Sequence, residues 1–190
     1  MKYFNGLNMG EGIAGTDEIG AATTVIYTCM GVAFVNRKRR IGGLYHYPAK
    51  ALGNPNVANT IRQMASDIGP DEIVLTPAGS MGFGGMGSGE DDIEAMLDFL
   101  RTLSGKVTRA DPADDAKLFW RDGEPIFNVK PGNGPKSQAV PEVFRWTMSQ
   151  GKRELEANIW YYGGDGETMG VLEQGLPSTK KSVKNRCVIL

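Results

Sequence analysis

Cys29 and His46 are the two side chains in this chain whose types and spacing suit covalent chemistry. A thiolate is a strong nucleophile, and an imidazole within reach can take the thiol proton before attack on a carbonyl carbon. The chain has 2 Cys and 1 His, so any cysteine–histidine mechanism must use His46. The stretches 31–36 and 41–47 are rich in β-branched and aromatic residues and flank the basic turn Arg37-Lys38-Arg39-Arg40, which predicts a hairpin. A turn symmetric about Arg37-Lys38 places Cys29 directly opposite His46, with Cβ atoms about 4.5–5.5 Å apart. A slip of one residue would send the two side chains to opposite faces. The competing reading is a small buried thiol and a histidine satisfied in the core or at the surface.

Several elements must position that pair. Residues 1–20 are glycine-rich and weakly patterned, which predicts loop with one short edge strand. A strand is expected over 23–27. Val57, Ile61, Met64, Ala65 and Ile68 fall on one face of a helix over 56–68, stopped by Gly69-Pro70. A short strand over 72–76 leads into a glycine-rich loop, 79–89. Ser88 opens a second helix, with Glu90, Asp91 and Asp92 in its first turn and an apolar stripe of Ile93, Met96, Leu97, Leu100 and Leu103. Short strands follow at 106–109, 117–120 and 125–130, with Asp122-Gly123 as a hairpin turn. Residues 131–141 read as a Pro/Gly loop, and 158–162 as the last strand. The expected fold is α+β: a largely antiparallel sheet or sandwich with two helices packed on one side. The expected organisation is a single catalytic domain over 1–179 and a basic tail over 180–190.

Thr23, then Cys29 six residues on followed by Met30-Gly31-Val32-Ala33-Phe34, then His46 within Gly42-Gly43-Leu44-Tyr45-His46-Tyr47-Pro48-Ala49-Lys50, resembles the cysteine-dependent protein-glutamine deamidase superfamily. That superfamily takes in the CheD-like chemoreceptor glutamine deamidases, Burkholderia lethal factor and the catalytic domain of cytotoxic necrotizing factors. The resemblance covers roughly residues 20–110. It implies a CheD-like fold and a triad with Cys29 as nucleophile, His46 as general base and Thr23 orienting the imidazole. It also implies a protein substrate with an accessible glutamine, converted to glutamate with release of ammonia and without metal or cofactor. Tyr27-Thr28 stands where relatives usually carry Gly and Ser. With the longer C-terminal part, this favours a bacterial toxin or effector acting on a host protein. A chemoreceptor deamidase and a non-enzymatic binding domain on the same scaffold are the alternatives.

Other features bound the reading. Lys+Arg is 21 against 22 Asp+Glu, a net charge of −1, which argues against a general nucleic-acid binder. Two Cys and one His make neither a disulfide framework nor a typical structural zinc site. No apolar run reaches the ~20 residues of a spanning helix, and the N-terminus lacks a signal-peptide pattern. The expectation is a protein made in the cytoplasm, with delivery to a host cytosol under the effector reading. Gly82-Phe83-Gly84-Gly85-Met86-Gly87 matches G-x-G-x-x-G, but the three acids that open the next helix would repel a pyrophosphate. A surface loop, or a loop bordering the active site, is favoured. The turn 37–40 is a solvated turn or a docking patch for acidic groups. Trp120, Trp146 and Trp160 are expected in core or cleft-wall packing. Cys187-Val188-Ile189-Leu190 fits a C-a-a-X box. Cys187 is thus either a prenylation acceptor in a eukaryotic host or a surface thiol beside apolar residues.

Overall fold

A computed structural model describes residues 1–79, 89–132, 136–140 and 151–163 of the chain. Ser88, the glycine motif 82–87, Trp146, the tail 180–190 and Cys187 lie outside the described residues.

Twelve strands and two helices are described: β1 (Tyr3–Leu7), β2 (Gly12–Gly15), β3 (Gly20–Thr23), β4 (Met30–Asn36), β5 (Ile41–Tyr47), α1 (Pro55–Ile68), β6 (Glu72–Pro77), α2 (Glu90–Arg101), β7 (Val107–Arg109), β8 (Lys117–Arg121), β9 (Glu124–Phe127), β10 (Ser137–Ala139), β11 (Arg153–Glu156) and β12 (Ile159–Tyr162). They form a seven-stranded sheet, β11-β12-β2-β5-β4-β6-β7, and a five-stranded sheet, β10-β1-β3-β8-β9. Most pairings are antiparallel. The exceptions are β1 with β3, β1 with β10, and β6 with β7. The α+β class with two helices and two largely antiparallel sheets is therefore as expected. Among the described residues, no helix is long and apolar enough to cross a membrane.

The period-2 alternation of β4 and β5 sorts their side chains into two cores. Met30, Val32, Phe34, Tyr45 and Tyr47 pack against Val57, Ile61 and Met64 of α1 and Met96 and Leu100 of α2. Both helices thus cover one face of the seven-stranded sheet. Cys29, Ala33, Val35 and Leu44 face the other way, into a core shared with Phe4, Leu7, Ala21, Leu118 and Trp120 of the second sheet. Asn54 caps α1 by accepting the Asn56 N–H, and Gly69 closes it in the left-handed conformation at φ 60°. The Asp122-Gly123 turn joins β8 to β9 with φ 52° and 83°, both positive as a type I′ turn requires.

Three expectations fail, and one strand forms where none was expected. Residues 1–20 are not loop with one edge strand, because they supply β1, β2 and the start of β3. In particular, β2 lies inside the larger sheet, between β12 and β5. Its glycines are there for close packing: a β-carbon on Gly12 would lie 2.6 Å from the Met64 sulfur of α1. The strand expected over 23–27 ends at Thr23, where the chain turns out of the sheet. There the Thr24 N–H donates to the Leu7 carbonyl and the Ile26 N–H to the Asp114 carbonyl. Within the stretch 131–141, β10 pairs in parallel with β1, with all three of its residues exposed and without apolar alternation. Finally, β11 pairs with β12 although its sequence is charged.

Candidate active site

The β4–β5 hairpin places the two central residues. Asn36 pairs with Ile41, so the turn is the four residues 37–40, and the register puts Gly31, not Cys29, opposite His46. The expected direct pairing is therefore corrected by two positions. A slip of two keeps the pleat, so Cys29 and His46 share the face that looks into the inter-sheet core. Cys29 immediately precedes β4, and continuing the register makes it a diagonal neighbour of His46, a relation in which Cα atoms sit about 7–8 Å apart. Gly31, beside both, carries no side chain. Ala116, just ahead of β8, packs over it so closely that a β-carbon on Gly31 would overlap that of Ala116.

His46 is fully buried and held from three sides. Its N–H donates to the Glu11 carbonyl at 2.8 Å, and its own carbonyl accepts from the Gly10 N–H at 2.8 Å. Two residues thus oppose one, a β-bulge, with Gly10 at φ 77° as that irregularity favours. Nδ1 lies 2.8 Å from the Leu7 carbonyl oxygen. A carbonyl only accepts, so Nδ1 carries a proton, and in the neutral imidazole this leaves the lone pair on Nε2. Among the described residues, Nε2 is buried with no hydrogen-bond partner. Cys29 is also fully buried, and its sulfur lies 3.8 Å from the Thr28 hydroxyl.

Thr23 is near this group but does not hold the imidazole. Its hydroxyl accepts from the Ala116 N–H at 2.9 Å and donates to the Ala116 carbonyl at 3.4 Å. Its main-chain N–H donates to the same carbonyl at 3.0 Å. Thr23 pairs with Leu7 in the five-stranded sheet, so its observed work is to pin Ala116 above Gly31 beside the residue that does hold His46. The orienting contact expected of Thr23 is made by the main chain of Leu7. Sequence reasoning missed Leu7, Gly10 and Glu11 because a carbonyl or amide carries no side-chain signature. Gly31 did leave a signal: a glycine inside a strand marks close backbone approach.

The surroundings are fixed by other pairs. The Tyr47 hydroxyl donates to Asp92 Oδ1 at 3.2 Å, and the Lys50 N–H donates to Asp92 Oδ2 at 2.9 Å. Both tie the segment after His46 to the first turn of α2. Burial, reinforced by the Asp92 charge, pushes the Tyr47 phenol far above its ordinary range. Three of the four basic residues of the hairpin turn are engaged within the protein. Arg37 binds Asp71 and Glu72, Arg39 the carbonyls of Asp67 and Ile68, and Arg40 Glu18. That favours the structural reading of the turn over a docking patch. Trp120 is buried between the sheets and Trp160 packs against the helix-side core. Among the described residues, no three His, Cys, Asp or Glu side chains gather as a metal-binding group.

Cys29 and His46 thus share a sheet face without a hydrogen bond between the sulfur and Nε2; a thiol and an imidazole brought within reach can pass a proton and attack an acyl carbon. No protein-family model matches this chain, and no curated protein matches it.

Proposed function

We propose that the protein is a protein-glutamine deamidase using Cys29 as nucleophile and His46 as base. The observation that carries this reading is the unpartnered, buried Nε2 of His46 on the same sheet face as Cys29. Nε2 takes the thiol proton, and Sγ adds to the carboxamide carbon of a glutamine side chain. The oxyanion so formed needs N–H donors, worth about 3–4 kcal/mol each, and the main-chain N–H of Cys29 is the natural first one. The protonated imidazole gives its proton to the leaving nitrogen, ammonia departs, and a thioester remains. His46 then takes a proton from water, which hydrolyses the thioester to glutamate and regenerates the thiol. Burial of both groups supports a slim entering group. A glutamine side chain ends in its carboxamide on a narrow stem, whereas a main-chain amide is flanked by residues on both sides. This favours deamidation over proteolysis, which would use the same acyl-enzyme.

The test is ammonia release from a blocked Gln-Gly dipeptide, with the product about 1 Da heavier by mass spectrometry. Cys29→Ser and His46→Ala are expected to abolish release while the circular dichroism spectrum is kept. Unchanged release in either variant overturns the assignment. Complete burial of Cys29 favours a second reading, an inert core thiol in a binding domain. In a Cys187→Ser background, the deamidase reading expects Cys29 to react with iodoacetamide in the folded protein at neutral pH. The binding-domain reading expects reaction only on unfolding.

A further inference from the structure

The turn between β1 and β2 makes every hydrogen bond described above to His46. Leu7 supplies the acceptor for Nδ1, Gly10 the donor to the main-chain carbonyl, and Glu11 the acceptor for the main-chain N–H. This turn is closed twice. The Glu11 N–H donates to the Asn8 carbonyl at 3.1 Å, and the Asn8 N–H donates to Glu11 Oε2 at 2.8 Å. Glu11 is itself buried, one of few polar side chains to be so. A buried carboxylate accepting a main-chain N–H is a charge-assisted bond, stronger than a neutral one. The Leu7 carbonyl accepts from the Thr24 N–H at 2.9 Å and the Thr24 hydroxyl at 3.1 Å, and it shares one planar peptide with the Asn8 N–H, so its aim toward Nδ1 is held from the Thr24 side and from the Glu11 side.

We propose that Glu11 is a positioning residue for His46: by closing the Asn8–Glu11 turn, its carboxylate keeps the Leu7 carbonyl on Nδ1 and so keeps the proton off Nε2. Its consequence for turnover rests on the deamidase reading, whereas its consequence for the imidazole does not. An imidazole with a loosened Nδ1 partner spends time as the other tautomer, whose Nε2 carries hydrogen and cannot accept the thiol proton.

With one His in the chain, nitrogen NMR of ring-labelled protein observes His46 alone. The wild type is expected to show the Nδ1–H tautomer. Glu11→Gln retains an acceptor and is expected to keep it. Glu11→Ala is expected to give a mixture in which the Nε2–H form is substantial. Glu11→Asp, one methylene short of Asn8, is expected to fall between and serves if the alanine variant does not fold. On the blocked dipeptide, kcat for Glu11→Ala is expected to drop about tenfold or more with KM within about twofold, and Glu11→Gln to restore most of it. A folded Glu11→Ala or Glu11→Asp protein with an unchanged Nδ1–H signal overturns the proposal. Absence of ammonia release from the wild type would overturn the deamidase reading, while the tautomer shift would still decide the role of Glu11.

Discussion

Gly31 stands where His46, Cys29 and Ala116 converge, and the absence of its side chain is what lets the two sheets meet there. Gly31→Ala is expected to destabilise the fold by about 1–3 kcal/mol through overpacking against Ala116. Ala116→Gly should remove the overlap. The double variant is therefore expected to recover part of the loss, with a favourable coupling of about 1 kcal/mol in a double-mutant cycle measured by urea unfolding. Strict additivity would mean that the two residues do not share the space. At this scale the sequence singled out His46 by type, as the one imidazole, and Cys29 by its spacing from it. It could not identify the partner of Nδ1, because the Leu7 main chain looks like any other. Thr23 illustrates the converse: the family resemblance implied an orienting bond, but the nearby Ala116 amide and carbonyl satisfy its hydroxyl instead.

The strands are joined by ion pairs between residues distant in sequence. Glu72, at the start of β6, has its side chain only 8% exposed and accepts from Arg37 at 2.5 Å and Lys106 at 2.9 Å. Burial alone would raise its carboxyl, but hydrogen bonds from Lys106 and Arg37 and their charges outweigh this and hold it below the usual carboxylate range. A lowered folded value means that the stabilisation is present above the unfolded value of about 4.3 and is lost as pH falls through the folded one. Melting temperatures of wild type and Glu72→Gln are therefore expected to differ most near neutral pH and to converge as pH falls below the usual carboxylate range. A gap independent of pH would refute the charge account. Both helices were legible because apolar residues recur every three to four positions over three or more turns. β2, β10 and β11 were not: β2 is Gly-Ile-Ala-Gly, with a single large apolar residue, β10 is exposed on every residue, and β11 is charged.

Across the whole molecule, the seven-stranded sheet is covered on both faces, by helices on one side and by the five-stranded sheet on the other. Its central strands should therefore dominate stability. Phe34→Ala, at a fully buried site facing α1 and α2, is expected to cost about 3–5 kcal/mol. Ile126→Ala, at a partly buried site on β9 at the edge of the smaller sheet, is expected to cost less than about 2 kcal/mol. Urea midpoints with unchanged slopes would measure both. Equal losses would show that the two sheets contribute alike.

By itself, the sequence determined what depends on neighbours along the chain. It set the periods of α1 and α2, the β4–β5 hairpin, the Asp122-Gly123 turn, and the pairing of one thiol with the single imidazole on one pleat. Direct pairing of Cys29 with His46 does not occur, but the two share a pleat because the register differs by two residues and pleat parity repeats every two. Tertiary structure decided what depends on distant segments. It brought residues 7–11 around His46, set Ala116 over Gly31, gave Thr23 its partner, and placed β1 in parallel between β3 and β10. Those contacts run through main-chain amides and carbonyls, which every residue has alike, so only the folded chain shows which of them meet.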